Sequence, residues 1–201
     1  MIHNQTSSST FEERKWQEDT DFQQILNFFK RSWFNVADIH EEKKYFSEDI
    51  DIFIYKENHE ISIEIKFDDY LDKITTNFFF EIISNEQLSS PWCFLLSKAE
   101  IWLYYSKASK KWYIFPLKKL QKRFFEVRNN FSDPKEIDVS FRLKSTHTKY
   151  RNGQYKHTTI WRLIDKDILL IWCKKYNIKF LTKNILSDKI ELYEINKLLD
   201  E

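Results

Sequence analysis

Residues 51–66 have the sequence DIFIYKENHEISIEIK, in which two alternating apolar runs enclose one polar run. Alternation with a period of two residues is typical of β-strands that are buried on one face. We therefore predict strands over Asp49 to Tyr55 and Ile61 to Phe67, joined by a tight turn into an antiparallel hairpin. The isoleucines lie on one face of this hairpin, and polar side chains lie on the other.

The polar face of the hairpin carries two acids and one lysine. With Glu57 to Glu60 as the turn, the pairing places Asp51 opposite Lys66 and Phe53 opposite Glu64. Carboxylate oxygens suit Mg²⁺, and this ion lowers the pKa of a bound water. A nearby lysine can orient that water or offset developing negative charge. The shared face of Asp51, Glu64 and Lys66 therefore predicts a site for phosphodiester hydrolysis.

The composition bounds the class of protein. The chain has 201 residues, of which 42% are hydrophobic and 31% are charged, which is typical of a globular domain. Its single glycine, Gly153, excludes the glycine-rich loops that cradle phosphates and dinucleotides. Cys93 and Cys173 lack zinc-site spacing and fit a reducing compartment. The polar N-terminus has no signal-peptide pattern and no run is long enough to span a membrane, so we expect a cytoplasmic protein without membrane contact.

Charge is distributed unevenly along the chain. The net charge is +1, but residues 101–183 contain 20 Lys and Arg against 6 Asp and Glu, whereas the rest contains 12 against 25. A basic segment of this size indicates a nucleic-acid surface, and the alternative is two solvated faces whose charges cancel. The DNA-binding candidates are basic residues in a turn, a helix and a glycine-containing loop: Lys98, Lys118, Lys119, Lys122, Lys149, Arg151 and Lys156.

Periodicity predicts the remaining elements and a single domain. Residues 1–10 form a disordered tail, and residues 11–201 form the domain, with a core over 11–130 and a basic extension over 131–201. Helical spacing and capping residues predict four helices: Phe11 to Lys30, Leu117 to Arg128, Lys166 to Tyr176 capped by Asp165, and Ser187 to Leu199. Alternation predicts six further strands: Trp33 to Ile39, Asn77 to Ile83, Ile101 to Tyr105, Trp112 to Phe115, Ile137 to Leu143 and Thr158 to Ile164. The basic loop runs from Lys144 to His157.

The order of Asp51 and Glu64-Ile65-Lys66 on successive strands resembles the signature of the PD-(D/E)XK nuclease superfamily. Members of phage and prokaryotic type are also similar in Thr75 to Glu81 and in Ser97 to Trp102, although Thr76 stands where they tend to have glycine. The resemblance covers Phe11 to Pro116 and extends to Thr158 to Leu169. It implies a restriction-endonuclease-like α/β fold, with a mixed sheet flanked by helices and a C-terminal α/β extension.

The resemblance also implies an activity. The chain is expected to be a deoxyribonuclease of restriction, phage or mobile-element type, which uses Mg²⁺ or Mn²⁺ and works as a homodimer. Asp51 and Glu64 are expected to bind the metal, with Lys66 positioning water. An acid on the first helix completes the metal shell; Glu18 is the candidate, and its rivals are Glu13, Asp19 and Asp21. The alternative is a non-catalytic DNA-binding or partner-binding protein that keeps the nuclease fold.

Overall fold

The computed structural model describes residues 11–42, 44, 48–85, 90–91, 93–129, 142–149 and 155–200. It has an α/β architecture in which a six-stranded mixed sheet is flanked by helices, as predicted. The helices are α1 (Phe11–Arg31), α2 (Cys93–Leu96), α3 (Leu117–Asn129), α4 (Lys166–Lys175) and α5 (Leu192–Leu199). The strands are β1 (Asn35–Asp38), β2 (Ile52–Lys56), β3 (His59–Asp68), β4 (Asn77–Asn85), β5 (Ser90–Pro91), β6 (Ile101–Ser106), β7 (Lys111–Pro116), β8 (Arg142–Lys149), β9 (Tyr155–Asp165) and β10 (Leu181–Asn184).

The strands form two sheets. The six-stranded sheet has the order β1-β2-β3-β6-β7-β10, and the four-stranded sheet has the order β5-β4-β9-β8. In the larger sheet β3 and β6 are parallel, and the other four neighbouring pairs are antiparallel. A parallel pair needs a crossover connection, and here the crossover carries β4, β5 and α2. The second sheet therefore begins inside the connection between two central strands of the first.

The larger sheet separates two hydrophobic cores because its strands alternate apolar side chains to both faces. Ile52, Ile54 and Ile63 pack in one core with α1 and α5, through residues that include Phe28, Phe29, Ile195 and Leu198. Trp102, Tyr104 and Phe115 pack in the other core with β4, α3 and α4, through residues that include Phe78, Phe80, Leu120 and Leu169. The polar face of the hairpin belongs to this second side.

The β2–β3 hairpin forms as predicted, but its register differs by two residues. Ile52 pairs with Ile63, and Lys56 pairs with His59, so the turn contains only two residues. Its first residue, Glu57, has a φ of 57°, which the tight hairpin turns require at that position. Continuing this register by one residue places Asp51 beside Glu64 and not beside Lys66. A shift by two residues leaves every side chain on its predicted face, because the pleat repeats every two residues.

Two regions of the C-terminal third differ from the sequence-based prediction. The predicted basic loop over 144–157 largely forms the paired strands β8 and β9. Residues 150–154 of that loop lie outside the described residues. Residues 137–141, the first part of the strand predicted over Ile137 to Leu143, also lie outside them. The sequence gives no apolar alternation there, because the β-formers are threonines such as Thr146, Thr148 and Thr158. The predicted helix over 187–199 begins only at Leu192, where Glu191 and Glu194 form a capping box.

The C-terminal region is built into both sheets. β9 pairs with β4 in the smaller sheet, and β10, which the sequence did not predict, pairs with β7 at the edge of the larger sheet. Asp165 caps α4 as predicted, since its carboxylate accepts hydrogen bonds from the backbone N–H groups of Asp167 and Ile168. Residues 155–200 therefore contribute strands to both sheets.

Candidate active site

Two predicted site residues, Asp51 and Glu64, lie in contact at the polar face of the hairpin. Asp51 immediately precedes β2, and its Oδ2 accepts a hydrogen bond from the backbone N–H of Ile65 at 2.7 Å. Glu64 lies within β3, is buried, and its side chain hydrogen-bonds that of Asp51. The backbone thus fixes the orientation of one carboxyl group, and that group holds the other.

Burial raises the pKa values of both members of this pair. Loss of solvent raises the pKa of Glu64 well above its usual value, and the neighbouring charges of Asp51 and Asp49 raise it further. Loss of solvent also raises the pKa of Asp51 to about 6, although the hydrogen bond from Ile65 opposes the shift. Two carboxyl groups in contact titrate as a coupled pair.

Asp49 is a third acid at this position, and the sequence analysis did not propose it. Burial raises its pKa to about 6, and the charge of Lys66 opposes that shift. Its backbone has a φ of 50°, and its carbonyl oxygen accepts a hydrogen bond from Oγ of Ser97 at 2.8 Å. Asp49 and Asp51 are two positions apart, a spacing that predicts side chains on the same face of a strand. That spacing was the signal in the sequence that could have identified Asp49 as a site residue.

Lys66 lies on the same face and interacts electrostatically with these acids. It is half-buried in β3, and its positive charge lowers the pKa values of Glu64 and Asp49. The structure thus brings Asp51, Glu64 and Lys66 to one face of the sheet, with Asp49 beside them. This grouping is a geometric finding, and the catalytic roles of its members stay predictions.

His40 is a further neighbour that the motif does not contain. Its charge lowers the pKa of Asp51, its ring hydrogen-bonds Oδ1 of Asp38, and the ring of Phe22 lies 4.5 Å away between centroids. The residue follows β1 by two positions, and its sequence gives no signal of this placement. His40 connects the N-terminal helix to the carboxylate pair.

The acids of the first helix have different surroundings. Glu18 and Glu13 lie in α1, but their side chains are outside the described part of the structure. Asp19 is exposed. Asp21 is fully buried on the opposite side of the sheet, where its oxygens lie 3.7 Å from Nζ of Lys107 and 3.7 Å from Nζ of Lys110. Asp21 is thus engaged with the β6–β7 turn, and the prediction for Glu18 stays a prediction.

The residues of this site fit Mg²⁺. Among the described residues, no group of three or more His, Cys, Asp or Glu side chains has the arrangement of a metal site, so Asp51 and Glu64 are the two carboxylates that could hold an ion here. Mg²⁺ is commonly held by one or two carboxylates together with waters and substrate phosphates. A divalent cation would also offset the repulsion between the two carboxylates. The donor set is therefore compatible with Mg²⁺.

The predicted DNA-binding lysines divide into two groups. Lys98 lies near the turn before Asp51, where its Nζ is 2.9 Å from Oε1 of Glu48, and Lys118 donates to the carbonyl oxygen of Ser97 at 2.8 Å. Burial, and then the charge of Lys98, lower the pKa of Lys118, so these two cations are close together.

Lys119 contacts a different part of the fold, the C-terminal end of α5. Its Nζ donates to the backbone carbonyl of Asp200 at 2.9 Å, beyond the last turn of α5. Lys122 is exposed on α3. Lys149 and Lys156 lie in β8 and β9 with side chains outside the described part, and Arg151 lies outside the described residues altogether. Of the predicted set, Lys98 and Lys118 are the two that the structure places near the segment leading into β2, through Glu48 and Ser97.

Comparison with known proteins gives no match: no family model, no curated protein and no solved structure is significantly similar to this chain. No helix within the described residues combines the length and the apolar character needed to cross a membrane. The interpretation of the site therefore rests on its own geometry and chemistry.

Proposed function

We propose that the protein is a Mg²⁺-dependent deoxyribonuclease that hydrolyses phosphodiester bonds. The observation that carries the proposal is the hydrogen-bonded pair of Asp51 and Glu64, whose pKa values are both raised and which shares a sheet face with Lys66. Structural acids in folded proteins are normally given donors that favour their charged form. Here one backbone donor, the N–H of Ile65, does not offset the burial of the pair, and carboxyl groups whose pKa values stay raised are typical of functional sites.

The chain's own residues prepare this site for an ion. Asp51 and Glu64 are the ligands, and the N–H of Ile65 sets the direction of the Asp51 carboxylate. Burial of Glu64 in the sheet restricts water and strengthens electrostatic interactions there. Bound Mg²⁺ supplies Lewis-acid polarisation of the phosphoryl group and a water of lowered pKa.

Lys66 is proposed to position the attacking water. Its ammonium group can donate a hydrogen bond to that water or to a phosphoryl oxygen, and it offsets the negative charge that develops during the reaction. Asp49 is proposed to keep Lys66 in this region, since the two side chains interact electrostatically. Asp49 is therefore a positioning residue in this scheme, whereas Lys66 contacts the reacting groups.

DNA is proposed as the substrate because two basic residues lie near the segment that leads into the acidic site. The charge of Lys98 contributes to lowering the pKa of Lys118, and Lys118 contacts Ser97, which also holds the backbone of Asp49. A phosphate between two ammonium groups relieves their repulsion. The resemblance of Asp51 and Glu64-Ile65-Lys66 to the PD-(D/E)XK signature supports the same substrate.

The proposal is tested by incubating the purified protein with linear, circular and single-stranded DNA, with Mg²⁺, with Mn²⁺ or with chelator. We expect cleavage only with metal, and a loss of about 100-fold or more in Asp51→Asn, Glu64→Gln and Lys66→Ala. Glu60→Gln is the matched control, because Glu60 is an exposed acid on the same strand. Undiminished cleavage by Glu64→Gln rejects the site.

A second outcome separates the alternative function. Salt-dependent DNA binding that needs no metal, without cleavage under any condition, identifies a non-catalytic DNA-binding protein. Circular dichroism of each variant establishes that a loss of activity does not reflect unfolding.

A further inference from the structure

A groove lies at the far edge of the larger sheet, away from the acidic site. It is bounded by the segment that follows α4, by β10 and by α5, and it has a volume of about 580 Å³. β10 is separated from β3 by β6 and β7, so the groove is about 14 Å or more from Glu64 at the usual spacing between strands. The proposed catalytic residues do not line it.

The charge of the groove is positive. Lys174, Lys179 and Lys197 line it, and within the described residues none of the three is paired with a carboxylate. The acid in the lining, Glu194, is already engaged by Nζ of Lys183 at 2.6 Å and by the backbone N–H of Glu191 at 3.0 Å. Three lysines therefore line one opening, and the acid among its lining residues is engaged by another lysine.

An aromatic ring stands beside these lysines. Tyr193 lines the groove and is 69% exposed, although it lies in the first turn of an otherwise well-packed helix. Phe180 also lines the groove, and its inner side packs against Phe115, with 6.1 Å between ring centroids. The groove thus combines cationic side chains with an exposed aromatic face.

We propose that this groove binds a single-stranded segment of nucleic acid. The lysines contact successive phosphates, and an unpaired base stacks on Tyr193, which is the combination that single-strand-binding surfaces use. An acidic peptide satisfies the lysines but gives no reason for an exposed ring among them. The inference rests on the proposed function only in taking DNA as the ligand, since binding here requires neither Asp51 nor metal.

The experiment measures binding of a fluorescent oligothymidylate of about twelve nucleotides, a length within the usual site sizes, in chelator and over a range of salt. The variants are Tyr193→Ala and the triple variant Lys174→Ala, Lys179→Ala, Lys197→Ala. Lys30→Ala is the matched control, because Lys30 is an exposed lysine in the last turn of α1. A duplex of the same length and a poly-glutamate peptide complete the set of ligands.

We expect Tyr193→Ala to weaken oligothymidylate binding by about 10-fold with little effect on duplex binding, because stacking needs an unpaired base. The triple variant is expected to reduce the slope of log K against log salt concentration by about 2, the change that losing three phosphate contacts to a single strand gives. Unchanged binding in both variants overturns the inference, as does binding of poly-glutamate in preference to the oligonucleotide.

The same measurements separate this inference from the proposed function. Binding that depends on the groove in a protein that never cleaves DNA supports the groove and rejects the nuclease. Cleavage that is abolished by Glu64→Gln, together with binding that is indifferent to the groove variants, supports the nuclease and rejects the groove.

Discussion

Two positions of β3 carry acids in opposite situations. At the C-terminal end of the strand, Asp68 is buried and accepts hydrogen bonds from the N–H groups of Tyr70 and Leu71, at 2.7 and 2.9 Å, and from the hydroxyl of Tyr104. In the middle of the strand, Glu64 faces Asp51 of the neighbouring segment, and burial raises the pKa values of both. The first position supplies donors to its carboxylate, and the second supplies another carboxylate.

Asp72, close to Asp68, sharpens this contrast. Burial alone raises its pKa, yet the hydrogen bonds from Lys166 and Ser109 outweigh burial and leave the pKa below its usual value. Its contacts join the β3–β4 connection to α4 and to the β6–β7 turn. Asp68 and Asp72 therefore stabilise the fold, whereas ionising Asp51, with its pKa of about 6, costs roughly 3 kcal/mol. Such a cost is expected where function and not stability has determined the residue.

The largest expected effect on stability comes from removing the carboxylate of Asp68, which holds three hydrogen-bond donors. Asp68→Ala leaves two backbone N–H groups and the Tyr104 hydroxyl without their acceptor in a buried region. We expect a loss of about 3–5 kcal/mol in the free energy of unfolding, measured by urea denaturation. The control is Glu60→Gln on the same strand, which is expected to change little. A loss under about 1 kcal/mol contradicts the structural role of Asp68.

The next effect has the opposite sign and depends on pH. The folded pKa of Asp51, about 6, exceeds its ordinary value of 3.8, so the folded state binds more protons between these values. The stability that this group contributes is complete below about pH 4 and is lost as the pH rises through about 6. Asp51→Asn removes this dependence while keeping an oxygen that can accept from Ile65.

We therefore expect Asp51→Asn to gain up to about 3 kcal/mol over the wild type between pH 4 and pH 8 in metal-free buffer. Urea denaturation across this range measures the difference. A constant difference between the two proteins over this range contradicts the raised pKa.

Metal ions give a smaller and selective effect. Added Mg²⁺ or Mn²⁺ is expected to raise the melting temperature of the wild type, by an amount equivalent to about 2–3 kcal/mol at 100 times the dissociation constant. Asp51→Asn is expected to respond little, while Asp72→Asn, in the connection between β3 and β4, keeps the full response. Equal responses in both variants place the ion elsewhere.

The smallest effects come from two aspartates in left-handed backbone, one in each region. Asp49 has a φ of 50° and Asp72 has a φ of 64°, a region that glycine occupies at no steric cost. Asp49→Gly is expected to stabilise by about 1 kcal/mol or less at pH 8, since it removes both strain and a poorly solvated acid. Asp72→Gly is expected to destabilise by about 1–2 kcal/mol, because the contacts to Lys166 and Ser109 are lost. Denaturation that shows the same sign for both contradicts the comparison.

The sequence predicted the sheet face of the site but not its register. The alternation of side chains along the two strands places Asp51, Glu64 and Lys66 on one side of the hairpin. A register shift by two residues does not change this assignment. The register depends on the position of the turn, where Glu57 adopts a positive φ. A glycine at this position would have indicated the turn, but the sequence has none there. Asp49 shares the alternation of Asp51, whereas His40 reaches the site only through the path of the chain after β1.

Elements whose stability comes from distant partners were harder to predict. β10 has four residues and exists because β7 offers it an edge. The predicted strand over Thr158 to Ile164 forms most of β9, whereas β8 is largely polar and is ordered by its pairing with β9. The role of Lys119 depends on where the C-terminal end of α5 lies, which local spacing does not contain.

The parallel pairing of β3 with β6 has a consequence for the order of folding. The β2–β3 hairpin is local in sequence and can form early, whereas the second edge of β3 stays unpaired until residues 101–106 reach it across the long crossover. Until then the strand that carries Glu64 presents free backbone groups to any other chain. In a partly folded molecule, the unpaired edge of the strand that carries Glu64 is thus also a site where aggregation can begin.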